Sequence, residues 1–195
     1  MSTTTERPRS RGAESPARRR ILETARLLFY IEGIHTVGID RIIAEAGVAK
    51  ATFYHHFPAK EDLVLVYLTE ERERQRDAYA RLRETDADPL EKLYTAYDVI
   101  GEIGCQPGFR GCPFVNAAAE YPDPGHPVRQ AVAAYRRWFR GLLVELLAET
   151  GHPDAERTAD MLFVLRDGIV VGSYLDDPEA VQARIRTTLD RLLKV

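Results

Sequence analysis

Scarcity sets the first limits on this chain. Its 195 residues include two cysteines, Cys105 and Cys112, two methionines and one tryptophan. Two thiols cannot build a disulfide framework, and such sparing use fits a reducing cytoplasm. No run of about 18 uncharged apolar residues occurs, so no membrane span or membrane partner is expected. The amino-terminal stretch MSTTTERPRSRGAESPARRR has no apolar centre and does not read as a secretory leader. The five histidines are scattered and no C-x-x-C occurs, so no metal-ligand set is expected. A glycine-rich phosphate loop, H-E-x-x-H and G-x-S-x-G are all missing, which leaves catalysis and a bound cofactor without a foothold. No segment sustains strand alternation and no internal repeat is present.

What is there reads as helix throughout. Apolar residues make up 45% and charged residues 29%, enough for a real core in a soluble chain. The formal net charge of −3 conceals an asymmetry. Residues 1–60 carry ten Lys/Arg against six Asp/Glu, whereas residues 61–195 carry seventeen against twenty-four. A basic first third on an acidic remainder suggests that one end meets a polyanion.

Residues 1–15 are rich in Ser, Thr, Arg and Pro without apolar period, which predicts a disordered arm. From Pro16 the spacing of Ile21, Leu22, Ala25, Leu28 and Phe29 predicts a helix that Gly33 stops. Ile39, Ile42, Ile43 and Ala46 predict a short second helix ending at Gly47. A third short helix follows from about Ala49 to His56, closed by Pro58. Lys60 to Arg83 then forms a long helix with Glu61 and Asp62 in its first turn, where carboxylates suit the helix dipole. Further helices are expected at 89–103, 111–121, 126–150, 154–174 and 178–193, separated by segments rich in Gly, Pro and Asp. The fold class is all-α with about nine helices: a head at 16–63 and a body at 64–195.

Residues 39–57 have the dimensions of a helix-turn-helix, with Gly47 suited to a left-handed turn. If Phe53 and Phe57 turn inward, Lys50, Ala51, Thr52, Tyr54 and His55 are left outward as a face able to enter a major groove. The stretch GIHTVGIDRIIAEAGVAKATFYHHFPAKEDL resembles the DNA-binding region of the TetR family of bacterial transcriptional regulators. The pattern G-V-x-K-x-T-x-Y-x-x-F-x-x-K-x-x-L carries this resemblance, which extends over roughly residues 17–63.

The resemblance implies a three-helix head on a helical body, dimerisation, and repression of an operator relieved by a small-molecule inducer. It implies that Lys50, Thr52, Tyr54 and His55 face double-stranded DNA, with Tyr54 and Lys60 on phosphates and Ala51 allowing close approach to a base. Gly38 would offer backbone N–H groups to a phosphate. Val37 and Gly38 stand where such proteins often have Thr and Ser. Ala49 and Ala59 replace common Ser caps, a loss of about 1 kcal/mol at each helix start. Arg18, Arg19 and Arg20 lie at the front of the first helix, with Arg19 the expected backbone contact. Arg7, Arg9 and Arg11 are candidates for a minor groove.

In the body, residues Met161–Val171 are apolar almost all round, broken by Arg166 and Asp167. A helix apolar on every side is covered on every side. Leu165, Gly168, Ile169, Gly172, Ile185 and Leu189 are therefore expected at a homodimer interface. Tyr94, Tyr97, Phe114, Asn116, Glu120, Tyr135, Trp138 and Phe163 are the expected lining of a ligand chamber, being apolar with a few polar groups. Cys105 and Cys112 offer a second route to a signal, a redox- or electrophile-sensing thiol with Arg110 as a nearby cation. The expectation is a ligand-responsive DNA-binding repressor. The alternatives are a cysteine-sensing repressor of the same fold and an all-α enzyme.

Overall fold

A computed structural model describes residues 15–193. Among these the chain forms nine helices and no strand: α1 (Pro16–Glu32), α2 (Ile39–Ala46), α3 (Lys50–His56), α4 (Lys60–Arg83), α5 (Pro89–Gly104), α6 (Pro113–Glu120), α7 (Pro127–Glu149), α8 (Ala155–Leu175) and α9 (Pro178–Leu193). The arm and its arginines Arg7, Arg9 and Arg11 lie outside the described residues.

The helix starts follow local chemistry. Asp88 accepts hydrogen bonds from the N–H groups of Leu90 (2.9 Å) and Glu91 (3.0 Å) to open α5, with Pro89 in the first turn. Asp154 accepts from Arg157 N at 3.3 Å to open α8. Ala49 and Ala59 have no acceptor, so α3 lacks a side-chain cap. At α4 only the return half of a capping box survives, with Asp62 accepting from the Ala59 N–H at 2.9 Å.

The first apolar cluster fills the head and does not stop there. Ile21, Leu22 and Phe29 of α1, Ile42 of α2, Phe53 of α3 and Leu63 of α4 are 0–3% exposed. The same cluster continues through Tyr67 and Leu68 of α4 to Phe114, Ala117, Val132 and Tyr135 in the body. A second cluster, including Tyr97, Phe139, Leu146, Leu162, Ile185 and Leu189, joins α5, α7, α8 and α9. The expected boundary after residue 63 therefore falls inside α4, whose first half belongs to the head core and whose later half lies against α7. There Arg83 is paired with Glu145 (2.5 Å) and Glu149 (2.6 Å), and Tyr79 packs edge-on to Trp138 and Phe139.

Two glycines on α5 explain how α8 and α9 come so close. A Cβ at Gly101 would stand 2.5 Å from Ile185 Cδ1 of α9, and one at Gly104 would stand 2.6 Å from Ser173 Cβ of α8. The Ile185 tip can swing aside, but Ser173 Cβ is fixed to backbone. Gly104→Ala is accordingly expected to destabilise the fold by about 1–2 kcal/mol, the overpacking cost less a small gain in helix propensity. Urea denaturation checks this, and an unchanged midpoint would show that α5 and α8 part without strain.

Candidate nucleic-acid interface and the cavity behind it

The turn between α2 and α3 depends on Gly47, at φ +61° and ψ +44°. Its N–H bonds back to Ala44 O at 3.2 Å and the Val48 N–H to Ile43 O at 3.3 Å, closing α2 as the chain reverses. With seven residues, α3 is too short to hold its own shape. Phe53 and Phe57, at 0% and 1% exposure, anchor it on the head core. Helical period then forces the opposite side into solvent: Lys50, Ala51, Tyr54 and His55 are exposed and Thr52 is half-buried. Gly38 caps α2 with φ −79°, is exposed, and has nothing within 4 Å of where a Cβ would lie. Val37 is completely buried, which accounts for an apolar residue where a hydroxyl was the alternative.

The cations around this face are unequally free. Lys50 Nζ lies 3.1 Å from Asp40 Oδ1, and this hydrogen bond raises the lysine's pKa. Both side chains are well exposed, so the pair is weak and exchangeable. Lys60 is half-buried with its ammonium 6.0 Å from the centre of the Phe29 ring, and burial lowers its pKa. Arg19 is paired with Glu23 at 2.8 Å and Glu70 at 3.5 Å. Arg18 stacks over Phe57, and Arg20 donates to Ala46 O at 3.2 Å at the end of α2. The outward set on α3 is thus Lys50, Ala51, Thr52, Tyr54 and His55, whereas Lys60 and Arg19 face neighbours within the chain.

Head and body meet at a polar clamp. Glu120, the last residue of α6, accepts from the backbone N–H of Ile34 at 2.7 Å and of His35 at 2.5 Å. These N–H groups belong to the loop between α1 and α2. Alongside, the His35 ring lies 4.7 Å from Tyr121, and His126 reaches Glu61 of α4 at 3.2 Å.

Behind the head is a cavity of about 280 Å³. Arg26 and Tyr30 of α1, Glu71 and Gln75 of α4, and Ile100 and Ile103 of α5 form three of its walls. Phe109, Gly111, Cys112 and Pro113 close it from the loop entering α6, and Arg166 and Val170 from α8. The Tyr30 hydroxyl donates to Gly111 O at 3.0 Å and accepts from Arg110 N at 2.9 Å, pinning this loop to the head.

None of the eight residues expected to line a chamber lines this one. The Tyr94 hydroxyl donates to Asp190 (2.5 Å) across the seam of α5 and α9, and Tyr97 donates to Leu162 O (2.5 Å) inside the lower core. Phe114 and Tyr135 stack face to face at 3.7 Å as core. Asn116 donates to Arg110 O at 2.8 Å, Glu120 forms the clamp, Trp138 lines a separate groove between α4 and α7, and Phe163 lies under Arg136. Phe114 and Tyr135 of the expected set fill the core instead, and the aromatics that do border the cavity are Tyr30 and Phe109. Of its lining, Cys112 and Arg166 stood out in the sequence, the latter as one of two charges in a nearly apolar stretch.

The thiols are both free. Cys105 donates to Gln182 Oε1 at 3.2 Å. Cys112 is buried, and its cationic neighbour is Arg166 (Nη2 to Sγ, 3.3 Å), while Arg110 stacks over Tyr174. The expected interface residues also divide. Ile169, Ile185 and Leu189 are 0–4% exposed and belong to the core within one chain, and Gly172 is close to Val181 of α9. The solvent side of α8 instead carries Met161 (39%), Val164 (72%), Val171 (47%) and Leu175 (69%), with Gly168 open between them.

Comparison with known proteins agrees with this arrangement. Residues 21–67 match the family described as bacterial regulatory proteins, tetR family, and residues 118–195 match the tetracyclin repressor-like C-terminal domain. The chain is 32% identical to the HTH-type transcriptional regulator LmrA of Bacillus subtilis over 138 residues, covering 69% of this chain and 73% of that one. A crystal structure of a TetR-family transcriptional regulator from Streptomyces coelicolor is similar at 44% identity and TM-score 0.87, over 91% of this chain and 94% of the other. No helix among the described residues is long and apolar enough to cross a membrane.

The geometry separates residues that hold the fold from those merely presented by it. Glu120→Gln is expected to cost about 2 kcal/mol, since a carboxylate accepting from two backbone N–H groups is replaced by a weaker acceptor. Tyr54→Phe is expected to stay within about 0.5 kcal/mol of the parent. Parallel urea titrations decide it, and equal midpoints for the two variants would remove the clamp.

Proposed function

We propose that this chain, which belongs to the TetR family of bacterial transcriptional regulators, acts as a homodimeric repressor that leaves its operator when a small molecule fills the cavity behind the head. The observation that carries the reading is the outward face of α3, four exposed side chains and a threonine on a helix that Phe53 and Phe57 hold in place. In this reading Lys50 and Tyr54 meet phosphates and Thr52 and His55 approach base edges, with Ala51 giving close access. Two such helices read successive major grooves about 34–36 Å apart.

The exposed apolar side of α8 supports pairing of two chains. Val164, Val171 and Leu175 would be unusually costly to leave in water, and a second α8 across Gly168 removes them from it. The signal has two rods to travel by. Glu71 and Gln75 face the cavity from α4, which starts in the head. Pro113 faces it from the start of α6, whose other end is Glu120 on the loop between α1 and α2. Filling the cavity pushes on both and changes the pose of each head.

A second reading uses Cys112, a residue of the cavity wall whose sulfur accepts from Arg166. Here oxidation or alkylation of the thiol would replace reversible binding. Cys112→Ser discriminates: a response to inducer that survives the substitution removes this reading.

Three outcomes test the proposal. Genomic fragments selected by the purified protein should contain a pseudo-palindrome, bound with an affinity that falls steeply with salt. Lys50→Ala should weaken all sequences alike and reduce the log–log salt slope by about 0.9 for each phosphate that the lysine neutralises. Absence of any protected site in footprinting would overturn the assignment of α3. Val164→Asp with Leu175→Asp should leave a folded monomer in analytical ultracentrifugation that binds the operator at least about tenfold more weakly; a persistent dimer would place the pairing surface elsewhere.

A further inference from the structure

We infer that the cavity takes a small apolar acid, whose anionic group is read by Arg166. The inference rests on the cavity being the effector site and names the chemistry it selects. Arg166 is 6% exposed and cannot shed its proton. Nη1 donates to Asp167 at 2.9 Å, and Nη2 donates to the Tyr135 hydroxyl at 2.9 Å and to Cys112 Sγ at 3.3 Å. Nε is buried and has no hydrogen-bond partner. A buried donor on a cation left without an acceptor is costly, and Arg166 borders an open cavity. An anion bound in that cavity offsets the cost by its charge next to the guanidinium.

The charges around the cavity favour an anion over a neutral acceptor. Arg26 lines it and forms no ion pair among the described residues, whereas Glu71 is already paired with Arg74 at 2.8 Å. Asp167 is shared between Arg166 at 2.9 Å and Arg136 at 2.8 Å, so one carboxylate answers two guanidiniums. Gln75 adds a donor: its Oε1 is occupied by the Tyr135 hydroxyl at 2.8 Å, which turns its amide N–H groups to other partners. The apolar part of the lining is Ile100, Ile103, Phe109 and Val170. At about 280 Å³ the space suits a compact ligand with one ring system and one acidic group.

Isothermal titration of the full chain with 1-naphthoate and with 1-naphthamide, equal in shape and different in charge, tests this. One naphthoate per chain should bind at least about tenfold more tightly than the amide. Arg166→Gln should abolish that preference, and Arg26→Gln, at a half-buried position, should reduce it several-fold if Arg166→Gln does not fold. Val170→Trp should block both compounds by filling the cavity. Equal affinity for acid and amide, no naphthoate binding at millimolar concentration, or a preference that survives in Arg26→Gln and in folded Arg166→Gln would each overturn the inference. If naphthoate binds with the expected preference but operator affinity is unchanged, the ligand chemistry stands and the effector role of the cavity falls.

Discussion

A helix of seven residues cannot sustain itself, and the face that α3 turns outward depends on that limit. α3 exists because Phe53 and Phe57 are driven into the head core, and the helical period leaves no choice about what points the other way. Stability and the proposed recognition are therefore assigned to opposite sides of one short element. The side chains facing solvent on α3 bear almost none of the fold's energy and are free to vary without disturbing it. The two phenylalanines are not.

The second organising feature is continuity. The head is not hung on the body by a flexible linker but shares its apolar cluster, through Tyr67 and Leu68 of α4 and Phe114 and Ala117 of α6. Native cores are packed closely enough that a shift on one side is felt on the other. A cavity with α1 and α4 in its walls is consequently part of the head as much as of the body. The Glu120 carboxylate adds direction to this, because it grips backbone N–H groups rather than a side chain that could turn away.

The helix boundaries were largely legible from residue order, since Gly33, Gly47 and Pro58 act locally and need no tertiary information. The outward face of α3 was legible for the same reason, through the spacing of two aromatic residues. What could not be read was phase in α8. A helix apolar on all sides offers no clue to which side is inner, and Ile169, with Ile185 and Leu189 of the facing α9, turned out to be core while Val164 and Leu175 stayed in solvent. The lining of the cavity behind the head was hidden for a related reason: composition identifies Tyr97, Phe114 and Tyr135 as large, but only packing decides whether a large ring borders a space or fills it. Arg18, Arg19, Arg20 and Lys60 show a further limit. Their positive charge was visible, whereas the glutamates, carbonyl and rings that occupy them lie up to 51 positions away in sequence, as Glu70 does from Arg19.

The pairing of Lys50 with Asp40 carries its own consequence. The carboxylate occupies the lysine much as a phosphate would. If the outward face of α3 meets DNA as proposed, a polyanion trades places with this resident imitation before it reaches the ammonium. Such an internal decoy lowers the affinity for every duplex alike and leaves the difference between one sequence and another to the neighbouring threonine, tyrosine and imidazole.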